Sequence, residues 1–331
     1  MRKQPPSTAE RSAGCARNRF TALLPRALFG LAFALFVLTV VTVSTGVPEP
    51  RRLTAGPLSE AATCTALAAA LVALSSSAVR RRRQRALDQA DTSAATAQQV
   101  LLRPLPGRIG DLRLRGTYVP ARTAPRSGGD LYDAVHSPYG TRLLIGDVRA
   151  KGMLAVEASA LLLRSFREAA YEEEQLTEVA RRLEHDAQRH IARLPGAETP
   201  ERFATALLVE IPDGPVARVV HCGHPAPLLV SGGRVSPCPP ERPGAPVGMA
   251  DLVGAGHAVQ TLPFRAGERL VLLTDGFTEA RDAAGRFHPF TERAAAPLDD
   301  LVDGLRADLV RHAGGELRDD AALLVVERVP G

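Results

Sequence analysis

The chain has 331 residues, 45% of them apolar, enough for a sizeable core and more than one module, and a formal net charge of +5. Residues 1–100 hold 13 Arg and Lys against 5 Asp and Glu, a balance of +8, while the remainder holds 28 against 31, a balance of −3. That argues against a nucleic-acid surface on the C-terminal part. Cys15, Cys64, Cys222 and Cys238 lack the spacing of a disulfide framework or a zinc site and point to a reducing compartment.

The basic N-terminal part explains its own charge. Residues 27–48 are 22 positions without a charge, long enough to cross a bilayer, and are expected to form a transmembrane helix. A second uncharged run, residues 61–79, is richer in Ala and Ser; it reads as a second span, with a soluble or interfacial helix as the alternative. Arg80–Arg83 and Arg85 after it, with Arg2, Lys3, Arg11, Arg17, Arg19 and Arg26 before the first run, place both ends in the cytoplasm by the positive-inside rule; Arg51 and Arg52 in the loop between count mildly against it. Residues 1–83 are thus expected to be a two-helix membrane anchor. Residues 84–105, with Leu87, Val100, Leu101 and Leu102 and no glycine, read as a helical linker, either a dimerising coil or a solvated helix.

From about residue 106 the pattern becomes that of an α+β domain running to residue 331. Strands are expected at 111–119, 141–147, 203–211, 216–222, 226–231, 269–275 and 321–329, and helices at 154–174, 176–194 and 298–313. Short turns at 212–214 and 231–233 favour antiparallel pairing, so two packed sheets with helices outside are expected.

Carboxylates stand at the ends of these strands: Asp147 after "LLIG", Asp275 after "LVLLT", Asp319 and Asp320 before "AALLVV", and Asp130 with Asp133 in "GGDLYDAV". Buried acids without a partner are costly, and converging acids raise each other's pKa unless a cation sits among them. An all-oxygen set selects magnesium or manganese. Gly128, Gly129, Gly146 and Gly276 are read as letting backbone approach such an ion closely.

Taken in order, "AQQVLLRPLP", "GGDLYDAV", "IGDVRAKG", "FATALLVEI", "CGHPAPLLV", "GERLVLLTDGFTEARD" and "RDDAALLVV" resemble the sequence blocks of the SpoIIE-like branch of the PPM-type metal-dependent protein serine/threonine phosphatases, from Ala97 to Val329. The resemblance implies a sandwich of two antiparallel sheets flanked by helices. It implies two Mn2+ or Mg2+ ions bridged by Asp147, with the carbonyl of Val148 as a further ligand, Asp275 and Asp319 each holding one ion, and Asp130 in support or bound through water. It also implies a metal-activated water attacking phosphoserine or phosphothreonine without a phosphoenzyme. The implied substrate is a phosphorylated regulatory protein such as an anti-sigma factor antagonist.

Some positions depart from that pattern. Arg149 and Ala150 replace a small residue and glycine beside Asp147, and are read either as altering the loop or as adding a phosphate contact. Lys151 matches the family's lysine but also fits a surface position. His221, Cys222 and His224 have metal-like spacing, yet strand alternation splits them between two faces, so a structural role is expected. Glu279 is expected to support the loop after Asp275, and residues 171–174 to be a solvated helix end. Two readings stand beside the phosphatase: a catalytically weak partner-binding scaffold and a hydrolase of small phosphate esters.

Overall fold

The computed structural model describes residues 56–121, 129–150, 152–193, 202–250, 254, 256–290, 296–315 and 317–330. The chain divides into two compact units, residues 1–86 and 87–331.

Helix α1 (Gly56–Leu101) is continuous over 46 residues. Pro57 sits in its first turn, where a missing N–H costs nothing, no glycine or proline follows as far as Leu101, and Pro104 stands beyond its end. The helical linker expected from residue 84 is therefore not a separate element but the second half of a helix that already contains residues 61–79. Among the described residues, no helix is long and apolar enough to cross a membrane. The first expected span, residues 27–48, lies outside the described residues.

Beyond α1 come β1 (Arg108–Ile109), β2 (Leu112–Val119), β3 (Leu131–Ser137), β4 (Gly140–Val148), α2 (Met153–Glu172), α3 (Leu176–Ile191), β5 (Ala204–Ile211) and β6 (Val216–Cys222). The order continues with β7 (Leu228–Ser231), β8 (Arg234–Pro237), β9 (Val259–Pro263), β10 (Arg269–Leu273), α4 (Asp275–Thr278), α5 (Leu298–His312) and β11 (Ala321–Arg328). The strands form two sheets, ordered β1-β2-β11-β10-β7-β8 and β3-β4-β5-β6-β9, and every ladder in them is antiparallel. The two-sheet α+β architecture is as expected. Strand β3 is not among the expected strands, because the acids in and before "LYDAVHS" mask its strand character, and the short β8 and β9 are likewise additional.

Alternation places the cores. Leu270 and Leu272 of β10, with Leu324 and Val326 of β11, join the core that takes in the five-stranded sheet with α2 and α3. Val271, Leu273, Leu323 and Val325 point the other way, onto Leu301, Leu305 and Leu309 of α5. Both faces of these strands are thus buried, which is why they read as unbroken apolar runs. One buried polar network joins a helix end to the sheet. The fully buried Arg142 of β4 donates to Glu210 of β5 through Nε at 2.9 Å and to the carbonyls of Ala170, Glu173 and Glu174, the last at 2.6 Å, so it satisfies the orphan acceptors at the end of α2.

Candidate active site

The four acids expected to serve the site converge at one end of the sandwich. They arrive from both sheets and not from one edge of one sheet. Asp130 immediately precedes β3, Asp147 lies near the end of β4, Asp275 opens α4 directly after β10, and Asp319 stands two residues before β11. β4 and β10 belong to different sheets, and the charge of Asp275 reaches Asp147, so their ends lie near each other.

Asp130 is buried, and its Oδ2 accepts a hydrogen bond from the Thr274 hydroxyl at 2.7 Å. Burial, then the charge of Asp147, pushes its carboxyl well above the ordinary value, against the opposing effect of the Thr274 hydrogen bond. Asp147 is raised to about 7 by burial first and then by Asp275, Asp319 and Asp320, with Arg149 the one opposing charge. Asp275 is raised by burial, then by Asp319 and Glu279. Three acids raised by burial and by neighbouring carboxylates, with Asp319 beside them and no ion pair to any of the four among the described residues, have the donor chemistry of a site for hard divalent cations. The repulsion reaches further than coordination does. Among the described residues, no group of three or more His, Cys, Asp or Glu side chains stands arranged to hold a metal ion. The donor set therefore fits divalent cations in kind.

The two neighbouring acids differ in role. Asp319 is exposed, and its Oδ1 accepts the N–H of Asp320 at 2.9 Å. Asp320 is buried, and its carboxylate is occupied by the Tyr118 hydroxyl and by the Ala121 N–H at 2.6 Å. Burial and then Asp320 push the Tyr118 phenol upward, so it stays a donor. Asp133 does not join the site: its Oδ2 pairs with Arg167 Nε of α2 at 2.5 Å and its Oδ1 accepts the Ala134 N–H.

Three of the glycines bring backbones together. A Cβ on Gly129 would lie 2.3 Å from the Val148 carbonyl oxygen, one on Gly146 2.5 Å from the Thr205 oxygen, and one on Gly276 1.9 Å from the Asp320 oxygen. Each lets one backbone close on another, and so brings the acid-bearing segments together. Gly128 and Lys151 lie outside the described residues. The Val148 carbonyl faces Gly129 and accepts the Ala150 N–H at 2.8 Å. Arg149 holds its guanidinium over the Phe203 ring at 5.8 Å, and Ala150 packs against the core.

Two residues that sequence reasoning does not single out organise this end. Thr274, fully buried, donates to Asp130 and accepts the Ala322 N–H at 2.8 Å, so one hydroxyl ties the two sheets together. Gln98 of α1, also fully buried, donates to the Asp130 carbonyl, while Ser159 of α2 donates to the Gly129 carbonyl at 3.2 Å. A glutamine three residues before the end of a polar-looking helix carries no sequence signal of burial. His224 Nδ1 lies 2.9 Å from the Thr205 hydroxyl, and burial lowers the ring to about 3. Cys222 Sγ lies 3.5 Å from His257 Nδ1, its thiol pushed up to about 12 by burial.

Comparison with known proteins places this arrangement. The family described as Stage II sporulation protein E (SpoIIE) matches residues 137–329, more than half of the chain, and the chain belongs to it. The SpoIIE family is a branch of the PPM-type protein serine/threonine phosphatases. Among solved structures, the RsbU and RsbW domains of a Mycobacterium tuberculosis protein are 24% identical with a TM-score of 0.54, covering 66% of this chain and 60% of that one. The SiaA PP2C domain of Pseudomonas aeruginosa is 16% identical with a TM-score of 0.58, covering 74% and 98%. The catalytic domain of the serine/threonine phosphatase PstP in complex with two manganese ions is 15% identical with a TM-score of 0.50, covering 66% and 99%. At these identities the likeness establishes the fold. No curated protein matches the chain in sequence.

Proposed function

We propose that this chain removes phosphate from a phosphoserine or phosphothreonine of a regulatory protein, an anti-sigma factor antagonist, at the acid cluster formed by Asp130, Asp147, Asp275 and Asp319. The observation that carries the reading is the convergence of these acids from two sheets, where burial and then neighbouring acids raise Asp130, Asp147 and Asp275. Asp147, Asp275 and Asp319 with the Val148 carbonyl would hold manganese or magnesium. Two such ions, when bound, supply positive charge for the phosphoryl oxygens and make a water more acidic. The protein's own contribution is positional. Asp130 is held by Thr274 on its carboxylate and by Gln98 on its carbonyl, and Asp320 with Tyr118 braces the segment that presents Asp319. PstP, named with two manganese ions, and the RsbU domain among the structural neighbours support metal dependence and a regulatory substrate.

Residues 1–83 belong in this reading to a membrane anchor with spans at 27–48 and 61–79, residues 84–105 to a connector through which two copies pair, and residues 106–331 to a cytoplasmic catalytic domain. The charge asymmetry of the sequence supports that arrangement.

The test is manganese-dependent phosphate release from a phosphoserine protein by the full chain and by Asp275→Ala. Release that needs the metal and drops at least about hundredfold in the variant is the expected result. No metal-dependent release from either protein would favour a partner-binding scaffold.

A further inference from the structure

The cavity that contains Asp275 and Asp319 extends well past them. It measures about 420 Å³ and is walled by residues 275, 276 and 279–283 on one side and by 313, 314 and 317–319 on the other. That is the size of cavity that accepts a multi-group ligand, more than a phosphoryl group fills.

Two exposed guanidiniums, Arg281 and Arg318, line it. Neither has a carboxylate partner among the described residues. Arg281 lies over the Phe287 ring at 4.1 Å, and its backbone bridges to the same residue. A stacked guanidinium keeps its N–H edges free for an acceptor. Asp282, next to it in sequence, is already saturated: it accepts the N–H groups of Ala284 and Arg286 at 2.9 Å each and Arg286 Nε at 2.8 Å. Glu279, in the same wall, acts on Asp275, whose carboxyl it raises. The cavity thus holds an acidic group of residues and, separately, two cations that nothing described neutralises.

Resting on the phosphatase reading, we propose that Arg281 and Arg318 determine substrate specificity by binding acidic side chains that flank the phosphoserine of the protein substrate. A phosphoserine bound through the ions that Asp275 and Asp319 would hold shares one cavity with both arginines, and the room beyond the phosphoryl group is where its neighbours in sequence must lie. Planar guanidiniums bind carboxylates through paired N–H bonds, so these positions select acidic flanks over neutral ones.

The experiment uses the full chain with manganese and two fluorescent peptides that carry a non-hydrolysable phosphonate analogue of phosphoserine, so that nothing turns over, and that differ only in having Glu or Gln on both sides of it. Equilibrium binding by anisotropy should favour the Glu peptide by about tenfold, as expected for two charge pairs. The Arg281→Gln/Arg318→Gln double variant should bind the two peptides equally, and Arg281→Lys/Arg318→Lys should recover part of the preference. The proposal is overturned by a wild type without preference, by a preference that survives in the double variant, or by an equal weakening of both peptides, which would assign the arginines to the phosphoryl group. Manganese-dependent hydrolysis of p-nitrophenyl phosphate by the wild type, measured in parallel, tests the phosphatase reading separately. If that hydrolysis is absent while the peptide preference behaves as expected, the arginines bind an acidic phosphopeptide and the phosphatase reading is the one that fails.

Discussion

The Thr274 hydroxyl donates to Asp130 and accepts from the Ala322 N–H, with no exposure to water that could replace either bond. Thr274→Val keeps the shape and removes both bonds, leaving a buried N–H and a buried carboxylate short of partners. A loss of about 1–3 kcal/mol in urea unfolding is expected, together with weaker manganese binding by calorimetry. An unchanged midpoint and affinity would show that the hydroxyl positions nothing. Asp147 makes a pH prediction. Its carboxyl is raised in the folded protein from 3.8 to about 7, by burial and then by Asp275 and Asp319. The folded state therefore holds a proton that the unfolded chain releases, so this contribution is fully present below about pH 4 and is lost as pH rises through about 7. Without divalent metal, Tm should fall by several degrees between about pH 5 and about pH 8, and Asp147→Asn should flatten that slope. A slope that is the same in the variant would place the titration elsewhere.

At the scale of elements, the junction of β4, β5 and α2 is held by a charge pair with side-chain exposures of 0% and 2%, Arg142 and Glu210. Glu210 also accepts from Arg218 at 2.6 Å, and Arg142 caps the end of α2. Removing one partner strands the other charge in the core. Glu210→Ala should destabilise the domain by about 3–5 kcal/mol in chemical denaturation. A loss below about 1 kcal/mol would mean that water reaches the arginine. Because β4 also carries Asp147, a loosened junction should lower metal affinity as well.

At the scale of the whole molecule, the membrane anchor proposed from the basic N-terminal part makes a prediction. The full chain, expressed in bacteria, should sediment with membranes and resist extraction by high salt and alkaline carbonate, yielding only to detergent. Release by salt alone would mean that residues 27–48 and 61–79 do not span and that Arg80–Arg85 hold the chain by charge.

Much of the domain is legible in the sequence because local rules carry it. The apolar runs of β10 and β11 announce strands buried on both faces, the spacing in α2 and α3 announces helices, and an acid at the end of such a run announces a site. Asp147 and Asp275 stand out at the ends of such runs and Asp319 before one, whereas Asp130 has no such mark. Tertiary structure alone decided which sheet each acid comes from, that Asp133 turns aside to Arg167, and that Gly129, Gly146 and Gly276 bring backbones together. It likewise decided that Thr274 and Gln98, residues without any local mark of importance, hold Asp130 in place. Those facts depend on contacts between segments far apart in the chain, and the period of a helix or strand records only which face a residue takes, never what that face will meet.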